Sequence, residues 1–150
     1  MGQFWYFAYG SNLEPKQIAE RTHHVGETKI GWVEGYRFEF NKRSADGSGK
    51  ANITPRAGGI VWGVLYQCDA QFLRKMDTYE GVKEGDYLRM DLSVQCTSER
   101  DVNAISYTAG QNFIAGSLKP SREYLDRILR GARHHGLPAE YLTEIEKAAG

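Results

Sequence analysis

The hydrophobic and polar positions alternate with a period of two in several segments, and this pattern predicts β-strands. An apolar, aromatic run at Tyr6–Tyr9 is typical of a buried first strand. Thr28–Asn41 alternates aromatic with charged side chains, which predicts a half-buried strand. Ile60–Cys68 is apolar almost throughout, which predicts a strand buried on both faces. Two more strands are expected at Tyr87–Cys96 and Val102–Ala109.

Helical signals separate these strands. A short polar helix is expected from about Glu14 to Thr22, with Pro15 in its first turn. Asp69 is a suitable N-cap for a helix over Ala70–Tyr79, and Gly81 is well placed to end it. The apolar stripe of that helix comprises Phe72, Leu73, Met76 and Tyr79.

The last third of the chain changes to a helical period. Ser121 is expected to cap a helix that Gly136 ends, and Pro138 is expected to start a second, shorter helix. The first of these helices places apolar side chains on one face, namely Tyr124, Leu125, Ile128, Leu129 and Ala132. Strands first and helices gathered at one end predict the α+β class.

Composition narrows the functional classes. The 150 residues are of a size expected for one domain, 1–150, and Lys plus Arg equal Asp plus Glu at 19 each. The balanced charge offers no basic field for nucleic acid, and no apolar run approaches the ~20 residues of a membrane span. Cys68 and Cys96 fit neither a disulfide framework nor a zinc signature. Without a secretion signal at the N-terminus, we expect free thiols and a cytoplasmic location.

The most informative local feature is the break from the first strand into Gly10, Ser11 and Asn12. Gly10 permits a positive φ and close approach of a ligand to the backbone. A strand that ends in such a turn can direct several backbone N–H groups into one concavity, which suits a carboxylate or a developing oxyanion. On local chemistry alone, an ordinary strand-to-helix turn is the simpler interpretation, because these residues are common in turns.

Four segments in order resemble the γ-glutamylcyclotransferase family, part of the AIG2-like superfamily. They are Tyr6-Phe7-Ala8-Tyr9-Gly10-Ser11-Asn12-Leu13, then Val61-Trp62-Gly63-Val64, then Glu80-Gly81-Val82 with Gly85 and Tyr87, and Ser121 to Tyr141. The resemblance spans nearly the whole chain. It implies a small mixed, barrel-like sheet flanked by helices. It also implies an enzyme that cyclises a small γ-glutamyl substrate to 5-oxoproline and releases an amino acid or amine. The first motif is closer to enzymes acting on γ-glutamyl amino acids than to the γ-glutamylamine branch, which carries Tyr-Gly-Thr-Leu.

The resemblance places the catalytic acid-base carboxylate at Glu80. The substrate contains its own nucleophile and electrophile, so ring closure requires no enzyme nucleophile and no cofactor, only positioning and proton transfer. The C-terminal end of a helix and aromatic neighbours would both raise the pKa of Glu80, whereas without the resemblance an exposed glutamate at a frayed helix end is the simpler interpretation. The residues that the resemblance assigns to the γ-glutamyl pocket are Tyr6, Phe7, Ala8, Tyr9, Gly10 and Ser11, extended by Asn12, with Tyr124 and, more weakly, Tyr107. Tyr87 is the weakest candidate.

Other groups of charged or metal-binding residues in the sequence do not indicate a functional site. His23–His24 and His134–His135 are adjacent pairs that point in different directions on a helix, so no metal site is expected. The second pair is better placed to contact the carbonyls at its helix end. Four arginines of the penultimate helix are expected to form a solvated face, namely Arg122, Arg127, Arg130 and Arg133.

Three hypotheses remain open at this stage. The first is a cytoplasmic γ-glutamylcyclotransferase without cofactor or metal. The second keeps the chemistry but changes the substrate, either to a γ-glutamyl group removed in specialised biosynthesis or to a γ-glutamylamine. The third is a non-catalytic ligand-binding domain on the same scaffold, which Glu80 argues against. The sequence does not identify the leaving group, and a homodimer is left open.

Overall fold

The structure is a computed structural model that describes residues 3–22 and 27–150. Its strands are Phe4–Ala8 (β1), Thr28–Arg43 (β2), Gly49–Cys68 (β3), Tyr87–Val94 (β4) and Val102–Ala109 (β5). Its α-helices are Pro15–Thr22 (α1), Ala70–Tyr79 (α2), Arg122–His135 (α3) and Ala139–Ala149 (α4), and short 3₁₀ helices cover Ser11–Leu13 and Gln111–Phe113. The pair His23–His24, considered above as a metal site, lies outside the described residues.

The five strands form one mixed sheet in the order β2-β3-β1-β5-β4. Neighbouring strands are antiparallel except for β1 and β5, which run parallel. The sheet curls until its two edges approach each other, where the backbone N–H groups of Trp32 and Gln95 donate to each other's carbonyl oxygens at 2.9 and 2.8 Å. The predicted α+β class and the mixed, barrel-like sheet with flanking helices are therefore confirmed.

Strand β3 is more than twice as long as the sequence pattern predicts. It runs over Gly49–Cys68 rather than from Ile60, and Ile60 itself is 46% exposed. The added half is held by Asn52, which is fully buried and hydrogen-bonds to the side chain of Asn41 at 2.9 Å and the backbone N–H of Ala109 at 2.9 Å. Contacts with two other strands make this segment a strand, and such contacts cannot be read from the local periodicity of the sequence.

The predicted helix ends are confirmed. The Asp69 carboxylate accepts a hydrogen bond from the backbone N–H of Phe72 at 2.9 Å, and the Ser121 hydroxyl accepts one from that of Tyr124 at 3.2 Å. Gly136 ends α3 with a φ of 79°. The Asp69 and Ser121 side chains satisfy N–H groups that have no partner inside the helix, and the N–H of Gly136 donates to carbonyls of the last turn.

Two apolar positions differ from the predicted pattern. Tyr79 was expected on the buried stripe of α2 but is 55% exposed, and its ring lies 5.1 Å from the guanidinium carbon of Arg21. A cation over a ring stabilises such an exposed position. Leu88 lies at the start of the edge strand β4 and is also exposed.

Helix α3 packs over the turn that follows β1. Its buried face comprises Leu125, Ile128, Leu129, Gly131 and Ala132. The expectation that all its arginines are solvated is wrong for Arg127, which is partly buried, whereas Arg130 is exposed but paired. Arg127 donates to the side-chain carbonyl of Gln17 at 2.5 Å, and Arg130 pairs with Glu14 at 3.0 Å. The two arginines fasten α3 to the start of α1.

The sequence led us to expect that His135 contacts the carbonyls at the end of its own helix, but its contacts lie elsewhere. Its Nε2 lies 2.9 Å from the carbonyl oxygen of Leu13 and 3.4 Å from the hydroxyl of Tyr66. The reason is the position of α3, which brings its last turn against the turn after β1. His135 therefore contributes to the same junction as the arginines.

Cys68 and Cys96 are both buried free thiols, as expected. Burial raises the pKa of the Cys68 thiol to about 12, so it remains protonated at neutral pH. In the described part of the chain, no helix combines the length and apolar character needed to cross a membrane.

The tightest contact between α3 and the turn is at Gly131. A β-carbon at this position would lie 2.5 Å from the carbonyl carbon of Leu13 and 2.6 Å from the backbone nitrogen of Glu14. Both atoms are backbone, so a side chain at Gly131 would force the helix away from the turn.

Replacing Gly131 by Ala should destabilise the protein by about 1–3 kcal/mol, the usual cost of overpacking. Helix propensity alone predicts the opposite sign, a gain of up to about 1 kcal/mol. Gly116→Ala is the control, since a β-carbon at Gly116 has no neighbour within 4 Å. Urea denaturation measures both free energies of unfolding, and a stabilised Gly131→Ala variant would show that the contact is not constraining.

Candidate active site

A cavity of about 190 Å³ opens where β1 ends in its turn. Its walls come from β1 and the turn after it, α1, the β2–β3 hairpin, the end of α2, the start of β4 with the loop before it, β5 and α3. Elements distant in sequence thus meet at one point of the curled sheet, and the polar side chains that they contribute face one another.

The cavity brings together most of the residues predicted from the sequence. Those that line it are Tyr6, Tyr9, Gly10, Ser11, Asn12, Glu80, Tyr107 and Tyr124. Phe7 and Ala8 do not line it and belong to the hydrophobic core instead. The Phe7 ring packs against Gly63 on the neighbouring strand, where a β-carbon would come within 2.7 Å of the ring. The resemblance assigned a continuous segment to the pocket, but only some side chains of that segment face the cavity.

Gly10 does not have the positive φ that the sequence suggested. Its φ is −115° and its ψ is −136°. A β-carbon at Gly10 would lie 3.0 Å from the β-carbon of Ala51 and 3.6 Å from the hydroxyl of Tyr124. A side chain at Gly10 would therefore crowd the β-carbon of Ala51.

Glu80 sits at the C-cap of α2 with its side chain 16% exposed. Its Oε1 accepts a hydrogen bond from Nδ2 of Asn12 at 3.2 Å and lies 3.8 Å from Nη1 of Arg21. Burial raises the pKa of the Glu80 carboxyl above its ordinary value, while Arg21, Asn12 and Lys42 oppose that rise. Glu80 is therefore a partly accessible carboxyl whose pKa lies above that of an exposed glutamate.

The orientation of the Asn12 amide is fixed by its partners. Its Oδ1 accepts hydrogen bonds from Gln17 at 2.9 Å and from Arg21 at 3.2 Å. Its Nδ2 donates to the hydroxyl of Tyr6 at 2.9 Å and to Glu80. A flipped amide would place its oxygen against the Glu80 carboxylate and its NH₂ against two donors, so only one orientation is compatible with the network.

The tyrosines of the cavity differ in the use of their hydroxyl groups. Tyr9 donates to the carbonyl oxygen of Tyr107 at 2.7 Å, and Tyr107 donates to Asp77 at 2.6 Å. Tyr124 accepts from the backbone N–H of Ala51 at 3.0 Å. Burial raises the pKa of Tyr124 to about 12, so its hydroxyl stays neutral at physiological pH.

Sequence reasoning missed several charged residues that line the cavity. These are Arg21 from α1, Lys42 from β2, Lys50 from β3 and Asp86 from the loop after α2. Tyr87, which the sequence ranked last, also lines it and donates to the carbonyl oxygen of Ala51 at 2.7 Å. Only Asp86 and Tyr87 lie inside a recognised motif. The three cations have no common spacing that could have revealed them.

No group of three or more His, Cys, Asp and Glu that could hold a metal ion occurs within residues 3–22 and 27–150. The donor set of the cavity consists of one carboxyl held by an amide, one carboxyl paired with a lysine, and several tyrosines. Its chemistry is suited to proton transfer and hydrogen bonding rather than to metal ligation.

Comparison with known proteins connects this geometry to a family. Residues 60–145 match the family model described as AIG2-like. A protein of Bos taurus named gamma-glutamylcyclotransferase is 32% identical over 147 residues, which cover 95% of this chain and 77% of that protein. A protein of Homo sapiens with the same name is 30% identical over 148 residues, with the same coverage of 95% and 77%. A solved structure titled gamma-glutamyl cyclotransferase superposes with a TM-score of 0.88 at 29% identity, covering 97% of this chain and 87% of that one.

Replacing Arg21 by Met should raise the pKa of the Glu80 carboxyl further. The variant removes the cation 3.8 Å away that favours the ionised carboxylate. An NMR titration of ¹³C-labelled glutamate side chains measures this pKa, with the Glu80 signal assigned by its absence in Glu80→Gln.

Arg74→Met is the matched control, because Arg74 is an exposed residue of α2 that does not line the cavity. The Arg74→Met variant should leave the pKa of Glu80 unchanged. A pKa that stays constant or falls in Arg21→Met would contradict the assigned electrostatic role of Arg21.

Proposed function

This chain belongs to the AIG2-like, γ-glutamylcyclotransferase family, and from that premise we propose that it cyclises the γ-glutamyl part of a γ-glutamyl amino acid to 5-oxoproline and releases the amino acid. The observation that carries this proposal is the largely buried Glu80 carboxyl, held by Asn12 and Arg21 in a cavity lined by tyrosines. Relatives at 30% identity or more that bear an enzyme's name favour this function over a non-catalytic binding domain.

The reaction begins with proton transfer to Glu80. The α-ammonium of the substrate gives a proton to the carboxylate, and the freed amine attacks the γ-carbonyl carbon to form the new N–C bond of the ring. The protonated carboxyl then gives its proton to the nitrogen of the leaving amine as the old C–N bond breaks. The regenerated carboxylate takes the remaining extra proton from the new ring nitrogen, which becomes the amide N–H of 5-oxoproline, and that proton leaves with the amine as its ammonium form. One carboxyl thus serves as base and then as acid, and no water is consumed.

The environment of Glu80 suits both steps. Burial raises its pKa toward that of the groups with which it exchanges protons, and Arg21 and Asn12 keep its anionic form available. Since the base must start deprotonated, activity should fall as the pH falls through the raised pKa of Glu80. Folding of the substrate inside the cavity supplies the proximity that makes its own amine an effective nucleophile.

The γ-carbonyl oxygen gains negative charge during attack and needs donors. Tyr6 accepts a hydrogen bond from Asn12 at its hydroxyl oxygen, which leaves its own O–H group able to donate. Burial raises the pKa of Tyr6 well above its ordinary value, so that proton is retained at neutral pH. We assign Tyr6, together with the backbone of the Gly10–Asn12 turn, to this oxyanion.

The cytoplasm is the compartment that we propose for this enzyme. Cys68 and Cys96 are both free thiols, and thiols persist in reducing compartments.

Glu80→Gln should lower kcat by at least about 100-fold, the lower range of general acid-base contributions, without unfolding the protein. The amide is nearly isosteric but cannot carry the proton. Glu84→Gln is the control, because Glu84 is exposed in the same loop and does not line the cavity. Measured kcat near the unmutated value in a folded Glu80→Gln variant would remove Glu80 from the mechanism.

The enzyme should release 5-oxoproline from γ-glutamyl-alanine but should not release alanine from its N-acetylated form. Acetylation removes the lone pair of the attacking amine. Hydrolysis to glutamate should also be negligible, because a tethered amine has an effective molarity on the order of 10⁵ M or more. Product analysis by chromatography tests both points. Alanine release from the acetylated compound, or glutamate as the main product, would indicate a hydrolase.

A further inference from the structure

The charges that line the cavity are unequal in number. Arg21, Lys42 and Lys50 are cations, whereas Glu80 and Asp86 are the carboxyls among the described lining residues. The wall thus carries one cation more than it has carboxylates even when both carboxyls are ionised. An excess cation in a partly desolvated cavity is unfavourable unless a ligand supplies the matching anion.

The unmatched cation is Lys50. Arg21 lies 3.8 Å from Glu80, and Lys42 lies 3.6 Å from Asp86. For Lys50, no carboxylate among residues 3–22 and 27–150 lies within 4.0 Å of Nζ, which sits 4.1 Å from the centroid of the Tyr124 ring. The carboxylate whose charge acts on Lys50 is Asp46, which is exposed in the hairpin loop and does not line the cavity. The side chain that faces Lys50 is thus a ring that also lines the cavity.

The sheet adds a second unfavourable contact. Lys42 and Lys50 are directly opposed residues in the pairing of β2 with β3. Like charges at opposed positions of an antiparallel pair are destabilising. Asp86 relieves Lys42 alone, and the pKa of Lys50 is lowered, chiefly by burial. Retention of two lysines in this position is therefore better explained by a ligand than by the stability of the hairpin.

The backbone beside Lys50 is held in place. The N–H of Ala51 donates to the Tyr124 hydroxyl at 3.0 Å, and the carbonyl oxygen of Ala51 accepts from the Tyr87 hydroxyl at 2.7 Å. Both tyrosines line the cavity, so Lys50 extends from a backbone fixed to the walls. A flexible surface lysine has no such support.

A γ-glutamyl amino acid supplies the missing charge. It carries one ammonium and two carboxylates, a net charge of one negative, whereas a γ-glutamyl alkylamide is a neutral zwitterion. The γ-glutamyl carboxylate is attached to the same carbon as the amine that meets Glu80, so we place it beside Arg21, which lies 3.8 Å from Glu80. The carboxylate of the leaving group is attached farther from the reacting amine and needs a different cation.

We propose that Lys50 binds the α-carboxylate of the amino acid that leaves, and that it thereby selects γ-glutamyl amino acids over γ-glutamyl amines. The proposal rests on the function proposed above and adds to it a residue that determines the leaving group. It also gives a reason for the opposed lysines, because the bound carboxylate neutralises Lys50 in the way that Asp86 neutralises Lys42.

The test compares two substrates that differ only in that carboxylate, γ-glutamyl-alanine and γ-glutamyl-ethylamide. In Lys50→Met, the ratio of their kcat/KM values should fall by about 10- to 100-fold, the range expected for a lost charge-assisted hydrogen bond. Lys83→Met is the matched control, since Lys83 is exposed, lies in the loop after α2 and does not line the cavity. It removes the same charge and should keep the ratio.

Stability separates a binding role from a structural one. Lys50→Met removes one member of the opposed lysine pair, so the urea midpoint should not fall below that of the unmutated enzyme. Lys50→Arg keeps the cation and should retain more of the substrate ratio than Lys50→Met. A lowered midpoint with equal loss on both substrates would mean that Lys50 is structural and would overturn the proposal.

A third substrate, 4-aminobutyryl-alanine, lacks the γ-glutamyl carboxylate but keeps that of alanine. If the effect of Lys50→Met disappears with this compound and persists with the ethylamide, Lys50 binds the other carboxylate and the assignment is wrong. Absence of 5-oxoproline from every γ-glutamyl compound with the unmutated enzyme would refute the proposed function itself. An active enzyme with an unaltered ratio in Lys50→Met would refute only the role of Lys50.

Discussion

The Asn12 amide is held by hydrogen bonds from Gln17 and Arg21 to its oxygen, and it gives its own to Tyr6 and Glu80. That arrangement joins β1 and the turn after it to helix α1 and the end of α2. Arg127 extends the chain of contacts to α3 through Gln17. The four hydrogen bonds of Asn12 are compatible with one orientation of its amide, which fixes the positions of Tyr6 and Glu80 relative to each other.

Burial raises the pKa of the acidic groups in the cavity and lowers that of Lys50. It raises the pKa of the tyrosines, which keeps them neutral donors, and it raises the pKa of Glu80, which makes that carboxyl responsive to protons. It also makes an unpartnered ammonium unfavourable at Lys50. The same loss of water that prepares the carboxyl for proton transfer therefore increases the affinity of the cavity for an anionic substrate.

Local signals predicted the parts of the molecule that local interactions determine. The caps at Asp69 and Ser121 and the glycine that ends α3 depend on neighbours a few residues away, and they were found from sequence. The first half of β3 was missed because its pairing depends on the buried Asn52, whose partners lie on other strands.

The candidate site, too, was predicted only in the part that a local motif encodes. A motif located the turn and the position of Glu80, but it could not show that Phe7 faces the core while Tyr6 faces the cavity. The cations that complete the walls come from three separate elements and share no spacing.

The parallel pairing of β1 with β5 also affects the order of folding during synthesis. The hydroxyl of Tyr9 bonds to the carbonyl oxygen of Tyr107, which lies 98 residues later in the sequence. During synthesis on a ribosome the first strand emerges long before the fifth, so the cavity cannot close until most of the polypeptide has been made. A truncated translation product that ends before β5 would carry the turn and Glu80 without an assembled site.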